Sequence, residues 1–127
     1  MSNVKVTTIK NIDGTKEVPT ETVIAGSAKA WVNFDGTTNT GGLCTIRDDF
    51  NVSSITDTTT GVFVINFDTN MSSANFAVSG ANFGSSNAGF LGCLTYELAV
   101  DSVKVYSYTH AGAAFDSEGL FVVIHSN

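Results

Sequence analysis

Residues 28–38 read AKAWVNFDGTT. Successive side chains of an extended chain point to opposite faces, so Ala28, Ala30, Val32 and Phe34 share one side while Lys29, Trp31 and Asn33 share the other. That alternation predicts a half-buried strand, and Asp35-Gly36 behind it reads as the turn that ends the strand. Trp31, the single Trp of the chain, then lies on the more polar side. There it is either a structural joint or a platform for a ligand such as a sugar.

Similar runs recur along the chain, at 29–34, 43–47, 51–55, 62–67, 75–81, 89–99, 102–109 and 119–126, separated by polar clusters such as TDTTTG and NFGSSNAG. Eight strands joined by short polar turns predict an all-β fold, an antiparallel β-sandwich or jelly-roll-like domain. In SVKVYSYT, Val103 and Val105 face the core, and Lys104, Tyr106 and Tyr108 face solvent, a ligand or another subunit. VFVINF and LFVVIH are apolar on both faces, which predicts that a second chain covers the outer one. Residues 1–28 stand apart. VKVTTIKN reads as one short strand, and IDGTKEVPTETVIAGS holds a turn and the single Pro. With so few apolar groups this segment is expected to be an N-terminal arm or attachment segment, leaving 29–127 as the β-sandwich domain.

Composition supports this division. The 127 residues suffice for one domain with a modest core. Thr, Ser, Asn and Gly number 16, 13, 11 and 12, a surplus of small polar residues that compete with helix by bonding to nearby backbone. A hydrophobic share of 43% is too high for a disordered chain. The net charge of −6, with six scattered basic residues, argues against nucleic acid as a partner. No apolar run approaches a membrane span, and MSNVKVTTIK lacks the apolar region of a secretory signal, so the expected origin is a cytoplasm. Cys44 and Cys93 fall in predicted strands without metal-ligand spacing and read as buried free thiols, with one long-range disulfide as the alternative. Sequons at Asn51 and Asn70 would matter only in a secretory pathway.

The inventory for catalysis is thin. His110 falls in a turn and His125 at a strand end, neither in a metal-binding spacing, and no GxSxG elbow exists. Asp48 and Asp49, with Asp57 and Asp68, could be paired acids for glycoside hydrolysis. The simpler reading is turn chemistry, with Arg47 pairing a neighbouring carboxylate. NFDGTTN lacks calcium-loop spacing, and GSSNAG lacks the lysine of a phosphate loop. No cofactor and no metal are expected. Binding is the better prospect, because aromatic residues sit at several turn borders.

One segment carries more than composition. AKAWVNFDGT followed by CTIRDDFNVSSITDTTTGVFVINFDTNMSSANFAVSGA resembles a domain common in tail-fibre and other virion structural proteins of tailed bacteriophages. There the pattern is close to KAWVNF-x-GT, then IRDSFNVSSITDNGTG, an aromatic strand ending in NF, and a Met-x-x-A-x-[YF] run. The likeness is dense through residues 28–81 and looser at the closing hairpin. TTNTGGLCT is longer than the usual link, TDTTTG replaces an Asn-Gly turn, and the chain ends in IHSN rather than an aromatic-Gly pair.

The resemblance implies a non-enzymatic virion surface protein, a homotrimer assembled in the bacterial host cytoplasm, which touches other virion proteins of tail or capsid. The leading expectation is a small tail-fibre or spike tip that binds a host surface glycan or protein. Residues 1–28 would serve as attachment, since no long shaft or adaptor domain is evident. The alternative is a capsid decoration protein or head fibre anchored by the N-terminal arm. Ligand-binding candidates are Asn82, Phe83, Asn87, His110 and Phe115, on loops that a β scaffold would present. Trp31, Tyr106 and Tyr108 are assigned to subunit or arm contact. Neither nucleic acid binding nor membrane insertion is expected.

Overall fold

The strand at Ala28 does not stop at Asp35-Gly36. In the computed structural model, which describes residues 2–84, 90–92 and 97–126, it runs on as β3 to Thr40. Gly36 is buried within it, and its N–H donates to the Ser117 carbonyl at 2.9 Å. A Cβ at Gly36 would lie 2.8 Å from Leu120 Cδ1 and from Phe63 Cζ. Glycine is there because two side chains and a loop press on the backbone, so Asp-Gly marks a close approach and not a hairpin turn. The turn comes later, at Gly41 and Gly42, with φ of 63° and 86°. Two successive positive φ values fit the twist of a two-residue hairpin.

The remaining elements follow the predicted runs. The arm contains β1 (Thr8–Lys10), β2 (Glu17–Pro19) and α1 (Thr20–Gly26). After β3 (Ala28–Thr40) come β4 (Leu43–Phe50), β5 (Val52–Thr59), β6 (Val62–Phe67) and β7 (Ala77–Phe83), then β8 (Phe90–Gly92), β9 (Ser102–Tyr108) and β10 (Gly119–His125). Seven strands form one antiparallel sheet in the order β7-β10-β3-β4-β5-β6-β9, with the short β8 on the β9 edge. The sheet curves until β8 lies beside β7, so it is nearly closed into a barrel. The all-β antiparallel expectation holds at this level, but the expected β-sandwich over 29–127 does not: its strands form one curved sheet and not two facing ones.

Alternation fills the barrel. Ala30, Val32 and Phe34 of β3 are buried, as are Phe63, Ile65 and Phe67 of β6, Val103 and Val105 of β9, and Leu120, Val122 and Ile124 of β10. Phe34 and Phe63 meet edge to face at 5.3 Å across the interior, a favoured aromatic geometry. Each such side chain withdrawn from water contributes about 1.5–3 kcal/mol. Cys44 joins this core as a free thiol. Burial, followed by the charges of Asp57, Asp116 and Asp35, pushes its pKa up to about 12. Cys93 lies outside the described residues.

The barrel is looser between β4 and β5, which pair only at Leu43–Thr56. They diverge from a corner at Asn51, whose φ of 57° makes it the one non-glycine with positive φ among the described residues. Its side chain holds the corner. Nδ2 donates to the carbonyls of Lys29 and Thr69, both at 3.0 Å, and Oδ1 accepts from the Thr69 N–H at 2.7 Å. Three segments distant in sequence are thereby fastened at the root of the arm. Asn is among the few residues that tolerate this backbone region.

The arm was expected to carry one short strand. It forms instead a three-residue antiparallel ladder, β1 against β2, with Ile9 opposite Val18, followed by an unexpected helical segment. Pro19 precedes the first turn of α1, Glu21 lies within that turn, and Lys29 Nζ donates to the Ile24 carbonyl beyond its end. The charges suit the helix dipole at both ends. No residue of α1 is buried, and the arm's elements pack chiefly on one another. No described helix is long and apolar enough to cross a membrane.

Candidate binding surfaces on the barrel

The residues singled out in the sequence fall into three places. At one end of the barrel, β7 brings Asn82 and Phe83 toward the loop that joins β9 to β10. Asn82 was expected on a loop tip, but β7 extends through it and turns its side chain inward, leaving it 8% exposed. Its Nδ2 donates to Ser107 Oγ at 2.8 Å, joining β7 to β9 inside the barrel. Such an amide braces the wall and is not presented to a ligand. Two covered oxygens lie in this part of the chain, Asn82 Oδ1 and Ser117 Oγ, and neither has a hydrogen-bond partner.

Phe115 is half-buried beneath the same rim. Its N–H donates to the Ser107 carbonyl at 3.1 Å, and its ring faces Gly84. Asp116 next to it accepts from the Gly61 N–H at 2.7 Å, tying the loop to the β5–β6 turn. His110 is exposed at the loop tip, in a turn closed by Gly112 N–H to Thr109 O and Thr109 N–H to Ala113 O. Asn87 lies outside the described residues. Of the five loop candidates, Phe83, Phe115 and the buried Asn82 share one rim, with His110 projecting from its loop.

Tyr106 and Tyr108 occupy a second place, on the outer side of β9. Their rings run side by side with centroids 6.2 Å apart and planes within 4°. Val62 and Val64 of β6 are the half-buried outward neighbours, Val62 opposite Tyr106 and Val64 opposite Lys104. Lys104 pairs with Glu97.

Trp31 belongs to a third place, separated from the tyrosines by β4, β5 and β6. Its register neighbours are Val123 of β10 and Phe50 of β4. One step along, Phe121 faces outward beside Asn33, and the Phe83 ring stacks on it at 5.5 Å with 23° between planes. Gly119 lies directly beneath Phe83, where a Cβ would overlap the ring. The outer face of β7, β10, β3 and β4 therefore carries an apolar stripe rich in aromatic residues, Phe83–Phe121–Val123–Trp31–Phe50, linked by the Phe83–Phe121 ring contact and by strand register. Phe50, Phe83 and Phe121 are 53%, 45% and 39% exposed, and Trp31 and Val123 are half-buried. Sequence reasoning missed Phe50 and Phe121 as members. The signal for Phe121 was present, since the inward set Leu120, Val122 and Ile124 forces it out. Phe50 becomes a neighbour of Trp31 only through strand register.

Carboxylates border the stripe at its β4 end. Arg47 is the extra residue of a bulge between the pairs Asn33–Asp48 and Phe34–Ile46, and the bulge lets its guanidinium reach Asp35 at 2.8 Å. Burial raises the Asp35 pKa, but hydrogen bonds from Thr37 and the Arg47 charge outweigh it and hold the carboxyl below its ordinary value. Asp48 and Asp49 are exposed on β4, where turn positions were expected. Asp57 accepts from Asn39 Nδ2 at 2.6 Å. Beside Phe50, an open depression of about 570 Å³ is lined by Ala28, Lys29, Asn51, Asp68 and Thr69 among others. Among the described residues no three His, Cys, Asp or Glu side chains gather as a metal site would require. The arrangement offers aromatic and polar contact surface among the described residues. Compared with known proteins, the chain matches no family model, no curated protein and no solved structure.

Proposed function

We propose that the chain is a non-enzymatic surface protein of a tailed-bacteriophage particle, assembled in the host cytoplasm. In this reading it is a small homotrimeric tail-fibre or spike tip that binds a host surface glycan or protein. The resemblance through residues 28–81 supplies the family, and the near-closed sheet is taken as a jelly-roll-like barrel. One structural observation supports the reading most: large apolar side chains are left outside the core, on the arm and on the outer face. Val4, Val6, Ile9, Ile12, Val23 and Ile24 of the arm are all exposed. Exposed apolar surface on this scale marks a protein that meets other proteins.

The rim carrying Phe83, Phe115 and His110 then faces the host, with Asn87 in the same chain region, and Trp31, Tyr106 and Tyr108 face neighbouring subunits. Several weak rim sites on one particle would reach useful avidity together. The capsid decoration or head-fibre alternative draws on the arm itself, a short apolar segment suited to gripping another virion protein. Gold-labelled antibody on intact particles separates the two. Label on tails, with host cells bound by purified protein and weaker binding by His110→Ala and Phe115→Ala, is expected. Label confined to heads would leave the decoration reading, and label on neither would sink both. Release of reducing sugar from host polysaccharide, abolished by Asp48→Asn or Asp49→Asn, would overturn the non-enzymatic assignment.

A further inference from the structure

We propose that the Phe121–Val123–Trp31–Phe50 part of this outer face, on β10, β3 and β4, receives the N-terminal segment of a second copy of this chain. This deepens the self-association in the reading above and does not depend on the virion assignment. Among the described residues two apolar surfaces stand exposed: the stripe at Phe50 and Phe121, and the Val4, Val6, Ile9 and Ile12 side chains of the arm. The arm's elements pack chiefly on one another, and the arm leaves the barrel at Ser27–Lys29, beside Phe50. Contact between an arm and a face that lie at different places on the surface is heterologous, and closes into a ring when the rotation permits.

Charge supports the same occupant. Residues 28–127 hold nine carboxylates against three basic side chains, the whole excess of the chain. Residues 1–12 hold Lys5 and Lys10 and no acid; Lys10 pairs with Glu17 at 2.8 Å, which leaves Lys5, beside Val4 and Val6, to set the sign of the segment's tip. A basic apolar segment thus fits a stripe whose β4 end carries Asp48 and, across the depression from Phe50, Asp68. Opposite charges at the end of an apolar contact set its direction more than its strength. Laid out as an extended strand, the segment would turn Val4 and Val6 to one side and Lys5 to the other, the pattern that suits an apolar sheet face.

Light scattering of the full chain at micromolar concentration reads the proposal. The unaltered protein is expected to be oligomeric, and Val6→Glu and Phe121→Glu are each expected to weaken self-association at least roughly tenfold with unchanged circular dichroism. Val6 lies outside the barrel, so its variant tests the contact even if Phe121→Glu fails to fold. In a Cys93→Ser background, chains carrying Val6→Cys mixed with chains carrying Phe121→Cys should form a disulfide between copies. A monomeric unaltered protein overturns the proposal, whatever else binds the face. So does an oligomer that either substitution leaves intact in folded protein, or a crosslink that forms only within a chain carrying both cysteines. Unchanged particle labelling alongside any of these would remove this contact and leave the virion reading standing.

Discussion

The barrel and the arm use the same kinds of apolar residue to opposite ends. In the barrel Phe34, Ile55, Ile65 and Val105 are fully buried, each on the inward side of an alternating strand. In the arm Val4, Val6, Ile9, Ile12, Val23 and Ile24 are all exposed. The difference lies in what surrounds them: a curved sheet supplies facing side chains at every inward position, while a three-residue ladder and a seven-residue helix do not. Folding free energy therefore resides in the barrel, and the arm's apolar groups are available for association.

That division can be tested by substitution. Phe34→Ala removes a ring that packs edge to face on Phe63, and should lower stability to urea by about 3–5 kcal/mol. Next in size is Asn51→Ala, at about 2–3 kcal/mol, through three lost hydrogen bonds and a strained backbone. Asn51→Gly should restore the backbone share alone, so a urea midpoint between the two is expected. The Asp35–Arg47 pair comes third, with an effect of about 1 kcal/mol or less. Because the folded Asp35 pKa is lowered from 3.8, its contribution is present above that pH and is lost as pH falls through the folded pKa. Urea midpoints at successive pH values should show this acid loss in the native chain and a smaller one in Asp35→Asn. Smallest is Ile12→Ser on the exposed arm, expected to change the urea midpoint by no more than about 0.5 kcal/mol. A larger loss there would mean that the arm shares in the barrel's folding unit.

β3 and β9 were legible because period-two alternation is a property of the chain itself, and the other strands because their short apolar runs lie between polar turn clusters. Ala30, Val32 and Phe34 announce their shared face without help from the rest of the molecule. Gly36 could not be read in this way. Its glycine answers to Leu120, Phe63 and Ser117, residues far along the chain, and Asp-Gly carries the local look of a turn. Asn82 fails for a related reason, since its partner Ser107 lies across the barrel and draws an amide inward from what resembles a loop border. The segment 20–26 has no apolar periodicity to betray a helix. Trp31 was placed on the correct side by alternation, yet its company of Val123 and Phe50 is a matter of register between strands. Some members of these surfaces, Phe83, Phe115 and Trp31, were thus visible as single residues, while Phe50 and Phe121 joined them only through strand register and packing.

The position of β3 has a mechanical consequence. The arm continues directly into this strand, which lies between β10 and β4 and is laddered to both. A pull on the arm along the strand axis loads the hydrogen bonds of both ladders together, in shear, where a pull on an edge hairpin would break them one after another. Tension is carried into the middle of the sheet and shared by two neighbours. A force applied to the arm would therefore meet the barrel at its best-laddered strand, although no residue of α1 or of the two arm strands is buried in the core.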